Sequence, residues 1–377
     1  MDPRIAQLLE QGQSVWQDDL SRQMIESGDL ARIIAQGVRG LTSNPSIFEK
    51  AIAGGDAYDA DVARLAGDGL DAHAIFEAVA VDDVRATCDL FRPVYDAAEG
   101  GDGFVSIEVS PGAARDADRT RIEARRLWQT IDRPNLMVKI PGTMEGAPVI
   151  GEMLVEGINI NITLLFSIDS YARVAEAYVA ALEARHAAGQ PVDRIASVAS
   201  FFVSRVDTLV DKLLDQKIAE TGDQGLAALK GKAAVANARL AYARFEEIFR
   251  SERFAPLAAA GARVQRPLWA STSVKNPAYR DVMYVEELIG PDTVNTMPRP
   301  AIEAFLDHGV VARTVDTDLE DARRTWAALA EAGIDLEAAT DRLEEEGIAT
   351  FVKSYDALIA GVEGKRVQMA EATAVAD

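Results

Sequence analysis

Short apolar runs of strand length recur along the chain, each rich in β-branched residues or bounded by Gly, Pro or Asp, and they alternate with longer stretches of helical spacing. Eight runs have strand character: Ser14–Asp18, Val38–Thr42, Phe104–Val109, Leu136–Ile140, Ile158–Leu164, Ile195–Phe202, Arg266–Ser271 and Thr293–Met297. Between them, segments such as Tyr171–Ala188 and Arg205–Glu220 carry apolar residues three and four apart, the spacing of one helix face. Eight strands joined by crossover helices predict an α/β fold, a closed (β/α)8 barrel of the TIM type.

Such a barrel needs about 250 residues, so a chain of 377 leaves a surplus to place. Two long connections absorb much of it, 48–103 and 206–265, and both read as helices. A further helical region covers 318–362. The expectation is therefore one domain over 1–377, a barrel with inserted and C-terminal helices, ending in a tail, 363–377, that frays.

Composition narrows the function. With 39 Lys plus Arg against 60 Asp plus Glu, the net charge is −21, which argues against the basic face that nucleic acid requires. No apolar run approaches the roughly 18 to 20 residues of a membrane helix, and the opening MDPRIAQLLEQGQ has no signal-peptide character, so a soluble cytoplasmic protein is expected. One cysteine, Cys88, allows no internal disulfide, and three scattered histidines (His73, His186, His308) do not make a metal cage. Some motifs mislead. Gly225–Lys232 (GLAALKGK) has the wrong spacing for a phosphate-binding loop, and the sequon at Asn161 falls on a strand expected to be buried.

The informative residues are polar ones inside strands. Lys139 lies in LMVKIPGT, on a strand that a parallel barrel covers on both sides. Such a lysine is either paired with a carboxylate, or reaches water at the strand end, or serves as an amine nucleophile toward a carbonyl, since desolvation disfavours an ammonium and exposes the lone pair. Period-two alternation puts Phe104, Ser106 and Glu108 on one face of their strand, and Asn159, Asn161 and Thr163 on one face of theirs. Asp18 ends the first strand, Asn44 follows the second, and Ser200 with Phe202 ends the sixth, all at the C-terminal rim where barrel enzymes keep their chemistry. Asn44 before Pro45, and Ser200 before a helix, are equally plausible as caps.

These segments, VWQDDLSR, LTSNPSIF, VSIEVSP, LMVKIPGT followed by EG, GININITLLFS, SFFVSR and LWASTSVKNP, together resemble the longer bacterial type of transaldolase over nearly the full length. The resemblance implies a class I aldolase barrel of the non-oxidative pentose phosphate pathway. Such an enzyme moves a three-carbon dihydroxyacetone unit from sedoheptulose 7-phosphate or fructose 6-phosphate to glyceraldehyde 3-phosphate or erythrose 4-phosphate. It implies no metal or organic cofactor, phosphorylated sugars as the partners, and a monomer or homodimer.

Carried across residue by residue, Lys139 matches the Schiff-base lysine, Glu108 and Thr163 resemble the proton relay through a water, and Asp18 matches the carboxylate that accepts the hydroxyl proton on carbon–carbon cleavage. Asn44, Asn161 and Ser200 match groups that hold the dihydroxyacetone hydroxyls, with Phe202 beside them. Arg205 matches a phosphate-binding arginine, although by itself it reads equally as a surface helix charge. Two positions depart from the pattern. Asp19 adjoins Asp18 and is the reserve choice for that carboxylate, and Lys275 stands where shorter relatives carry arginine, which keeps charge but loses bidentate geometry. A fructose 6-phosphate aldolase-like enzyme, and a non-catalytic sugar-phosphate-binding barrel, are the alternatives.

Overall fold

A computed structural model of the chain describes residues 1–376, with side chains through 369. Among them, eight parallel strands close into a barrel in sequence order: β1 (Gln13–Gln17), β2 (Gly40–Leu41), β3 (Val105–Glu108), β4 (Leu136–Pro141), β5 (Ile160–Leu165), β6 (Ser197–Phe202), β7 (Arg266–Ala270) and β8 (Thr293–Met297). β8 pairs with β1 in register from Gln13↔Thr293 to Gln17↔Met297, which completes the ring.

Strand alternation divides the apolar residues between two separate clusters. Val105, Ile107, Val138, Ile140, Ile160 and Ile162 pack with the surrounding helices, while Trp16, Phe104, Met137, Val198, Leu268 and Val294 form an inner cluster inside the barrel. That inner plug includes one polar network. Asp102 accepts the Trp16 indole N–H at 2.9 Å and the Ser14 hydroxyl, and Arg266 donates to the Ser14 hydroxyl at 2.7 Å and to the Thr293 carbonyl at 2.6 Å. The lower barrel interior is therefore filled by side chains, which leaves the C-terminal end as the open part of the interior.

Two strands differ from their expected form. The run 38–42 contributes only Gly40–Leu41 as regular strand. The Trp16 ring packs directly against it: an added Cβ at Gly40 would lie 2.5 Å from the indole, so this stretch of barrel wall is backbone thin. β5 carries a bulge between Ile162 and Leu165, with Leu164 at φ 60°, and the strand bends where it reaches the rim.

The surplus length becomes helices, as the spacing predicts. The 48–103 connection forms Asp59–Gly67 and Ala72–Ala97, and the 206–265 connection forms most of Ser204–Thr221, a 3-10 segment Gln224–Leu229, and Ala233–Phe249. At the C-terminus, Leu319–Glu331 is followed by a long helix, Leu336–Ala376, that packs on the Pro45–Ala53 and Asp59–Gly67 helices. Ser46 and Ser354 share a hydrogen bond of 2.7 Å there. Residues 363–376, expected to fray, continue this helix, and Lys365 donates to the Gly55 carbonyl at 2.7 Å and to Asp59; Asp377 lies outside the described residues.

Replacing Gly40 with Ala should force Trp16 off its position and lower stability by about 1–3 kcal/mol. Urea unfolding monitored by tryptophan fluorescence measures this, and a wild-type midpoint in Gly40→Ala would disprove the packing argument.

Candidate active site

The parallel register of β3 with β4 sets Glu108 directly beside Lys139. The lysine Nζ donates to Glu108 Oε2 at 3.1 Å and lies 3.5 Å from the Ser43 carbonyl, and the two side chains are only 9% and 6% exposed. Burial pushes the Glu108 carboxyl above the usual range, the neighbouring Asp18 adds to the rise, and Lys139 opposes it. Asp18 follows β1 immediately, its backbone N–H tied to the Met297 carbonyl at 2.9 Å and its carboxylate accepting the Thr42 hydroxyl at 2.8 Å.

These groups line one cavity of about 400 Å³ at the C-terminal mouth. Lys139, Glu108, Asp18, Thr163, Asn44, Ser200, Phe202, Arg205 and Lys275 all contribute to its wall. Asn161 does not. It lies one layer deeper, fully buried, donating to the Ser106 hydroxyl at 2.9 Å and accepting from the Ser200 hydroxyl at 2.7 Å. Asn44 has a double position: it lines the cavity and also caps the Pro45–Ala53 helix by accepting the Ile47 N–H at 3.2 Å. Ser200, by contrast, sits in β6 and caps no helix; its hydroxyl goes to Asn161. Asp19 turns into an adjoining groove rather than into the cavity, where burial and the Asp18 charge push its carboxyl up.

Arg205 opens the Ser204–Thr221 helix with its guanidinium 5.4 Å from the centre of the Phe202 ring. No carboxylate among the described residues pairs with it, and burial pushes it below its ordinary value, with Glu346 opposing. The cavity wall as a whole has four cationic side chains, Lys50, Lys139, Arg205 and Lys275, against two anionic ones, Asp18 and Glu108. This site is locally positive on a chain of net charge −21.

The sequence profile of the transaldolase/fructose-6-phosphate aldolase family matches residues 15–362. The chain belongs to this family. Curated relatives named transaldolase cover nearly the whole chain. That of Mycolicibacterium smegmatis is 49% identical over 366 residues, 97% of this chain and 98% of the relative. That of Thermobifida fusca is 49% identical over 361 residues, covering 95% and 97%, and that of Trichodesmium erythraeum is 48% identical over 361 residues, covering 94% and 95%.

This transaldolase-family site also contains residues beyond the candidates named from the sequence. Thr42, Thr296, Ser271 and Ser273 add hydroxyls to the wall, Lys50 adds a cation, and Gly347, Thr350 and Phe351 of the C-terminal helix cover it. Gly347 packs closely there: a Cβ would lie 3.0 Å from Leu164 Cδ2. Leu164 itself faces the cavity only through the β5 bulge. The sequence signal was available for Ser271 and Ser273, which flank Thr272 in the LWASTSVKNP segment, but not for a helix more than 180 residues distant from β5. A second, smaller cavity of about 190 Å³ lies behind Asn44 and Glu108; its Arg119 and Arg126 are already paired, with Glu123 and Glu77.

Carboxyl-carbon NMR should therefore show glutamates titrating above the ordinary range, Glu108 and the partly buried Glu344, of which the Glu108 signal is missing from Glu108→Gln. Lys139→Met removes the cation that holds Glu108 down and should move its midpoint up; Asp18→Asn removes a like charge and should move it down. Shifts in the opposite directions would refute the electrostatic assignment.

Proposed function

We propose that this chain is a transaldolase that carries a dihydroxyacetone unit on Lys139 between phosphorylated sugars. The observation that carries the reading is the enclosed Lys139–Glu108 pair, an amine held 3.1 Å from a carboxyl group at the floor of a locally positive cavity. The names of the full-length relatives support transfer as the activity.

In this reading the Lys139 amine adds to the C2 carbonyl of sedoheptulose 7-phosphate or fructose 6-phosphate. Glu108, relayed through Thr163 and a water, shuttles the protons by which the carbinolamine loses its hydroxyl as water and becomes an iminium. Asp18, ionised, takes the C4 hydroxyl proton as the C3–C4 bond breaks. The bonding electrons pass to the iminium nitrogen and leave an enamine on Lys139, while the aldose phosphate departs. Addition of the enamine to glyceraldehyde 3-phosphate or erythrose 4-phosphate forms the new bond, Asp18 returns the proton, and water hydrolyses the imine.

Asn44 and Ser200 hold the hydroxyls of the three-carbon unit, with Phe202 beside them. Asn161 acts from beneath, fixing the Ser200 hydroxyl through its own amide oxygen. Arg205 and Lys275 receive the phosphate, and the unpaired, partly buried guanidinium supports that role. None of these steps calls for a metal or an organic cofactor. The described residues contain no group of His, Cys, Asp and Glu able to hold a metal, and no helix long and apolar enough to cross a membrane. We read the chain as one domain acting in the cytoplasm, as a monomer or homodimer.

Incubation with fructose 6-phosphate and borohydride should add a covalent mass at Lys139, and an unmodified lysine would exclude the Schiff-base mechanism. Supplying fructose 6-phosphate with and without erythrose 4-phosphate separates transfer from simple cleavage: turnover should require the acceptor, and rapid release of free dihydroxyacetone without it would favour an aldolase instead. Glu108→Gln should slow imine formation and hydrolysis by about 10²-fold or more while sugar-phosphate binding changes little. Unchanged turnover in this variant would displace Glu108 from the relay.

A further inference from the structure

Arg205 and Lys275 reach the cavity from different elements. One begins the Ser204–Thr221 helix, and the other rides the loop between β7 and the short helix Met283–Glu286. Lysine is a point charge on a flexible stem, so a phosphate shared by both depends on how firmly that loop is held against that helix.

The structure shows three points of attachment. The loop leaves β7 through Ser271 at φ 56°, where the Ser271 carbonyl accepts the Ser204 N–H at 3.1 Å and the two hydroxyls are 3.1 Å apart. Directly after Lys275, Asn276 closes a turn: its side-chain oxygen accepts the Ala278 N–H and its carbonyl the Tyr279 N–H, both at 3.0 Å. Tyr279 then donates its hydroxyl to the Asp211 carboxylate at 2.6 Å, the second attachment. Tyr284 donates to Asp207 at 2.8 Å, the third. The remaining oxygens of the two carboxylates accept the backbone N–H groups of Gly231, at 2.9 Å, and Ala234, at 2.8 Å.

Ser204, Asp207 and Asp211 follow the i, i+3, i+7 spacing of one helix face. The inserted segment closes over the same joint. Gly231 sits at φ 73°, and a Cβ there would meet Tyr279 Cζ at 2.7 Å. Asp207, 1% exposed, is held up to about 6 by burial, which marks the cost of keeping a carboxylate at this position. A loop could be packed on a helix by apolar contacts alone; two tyrosine–carboxylate bonds add fixed direction.

We propose that the Ser204, Asp207 and Asp211 face is a positioning device for the phosphate end of the site, setting Lys275 against Arg205 through Tyr279 and Tyr284. The proposal rests on the phosphorylated-sugar reading above. None of Asp207, Asp211, Tyr279 and Tyr284 lines the cavity, so they are positioning residues and not catalytic ones.

The test compares wild type, Tyr279→Phe, Lys275→Ala and the double variant. Calorimetry measures binding of fructose 6-phosphate and inorganic phosphate, and borohydride trapping of unphosphorylated dihydroxyacetone measures Lys139 itself. Tyr279→Phe should weaken both phosphate-bearing ligands about fivefold or more, leave dihydroxyacetone trapping within about twofold, and add nothing further once Lys275 is alanine. Unchanged phosphate binding, an equal loss of dihydroxyacetone trapping, or full additivity with Lys275→Ala would each overturn the proposal. Asp211→Asn, which keeps the side-chain shape and loses one acceptor oxygen, gives the same readouts if Tyr279→Phe does not fold. Failure of trapping in wild type would count against the Schiff-base reading, and the phosphate measurements would still decide this one.

Discussion

The chemistry at the barrel mouth depends on the parallel register between β3 and β4, in which Glu108 and Lys139 are direct partners. A slip of one residue would turn one of the two into the helix layer and leave the other enclosed without its counter-charge. The same register continues outward: Lys139 pairs with Asn161 of β5, and Asn161 carries the Ser200 hydroxyl of β6. Four adjacent strands thus form one polar row, and the order of the row is a property of the backbone ladder. A buried lysine–carboxylate pair offers little net stability after its desolvation. Its presence where an apolar pair would pack well suits the nucleophile role proposed for Lys139 better than a role in folding.

The barrel and the inward set, Lys139, Glu108, Thr163 and Ser200, were legible because a period of two leaves a strand residue only two directions. Polar residues on the inward face of a strand covered on both sides must share a common interior. The β5 bulge was not legible, because a positive φ at Leu164 contradicts the residue's own preference. Asn161 shows the limit of parity: it points inward as expected but at a depth where Ser106 and Ser200 use both ends of its amide. Parity gives direction and not height. The contributions of Gly347, Thr350 and Phe351 were hidden for another reason, since long-range helix docking leaves no periodic mark near the strands it covers.

Net charge and local charge differ in this protein. A chain at −21 repels extended polyanions, yet its cavity wall is cationic by four side chains to two. With a screening length of about 8 Å at physiological salt, the outer carboxylates act on one another and on their arginine partners more than on a ligand inside the cleft. Most of the arginines are in fact spent on surface pairs such as Arg121 with Glu152 and Arg253 with Glu183. Arg205 has no such partner among the described residues and is the arginine that lines the cavity, and these two features, rather than the overall balance, support the phosphate role proposed for it.

The surplus length follows the same logic. A minimal barrel would supply the row of polar strand residues but neither a roof nor a rigid loop to carry Lys275. The C-terminal helix supplies the roof and is itself tied down at both Ser354 and Lys365. The 206–265 connection supplies rigidity: the segment after Ser204–Thr221 returns so that Gly231 and Ala234 can satisfy Asp211 and Asp207, and those carboxylates in turn hold Tyr279 and Tyr284. Without the returning segment the two carboxylates would be buried with oxygens unmatched, and they would be worse anchors than apolar residues. The insertion and the loop are therefore coupled through the helix between them, and a change in either should be felt at the proposed phosphate end of the site, around Arg205 and Lys275, before it is felt at Lys139.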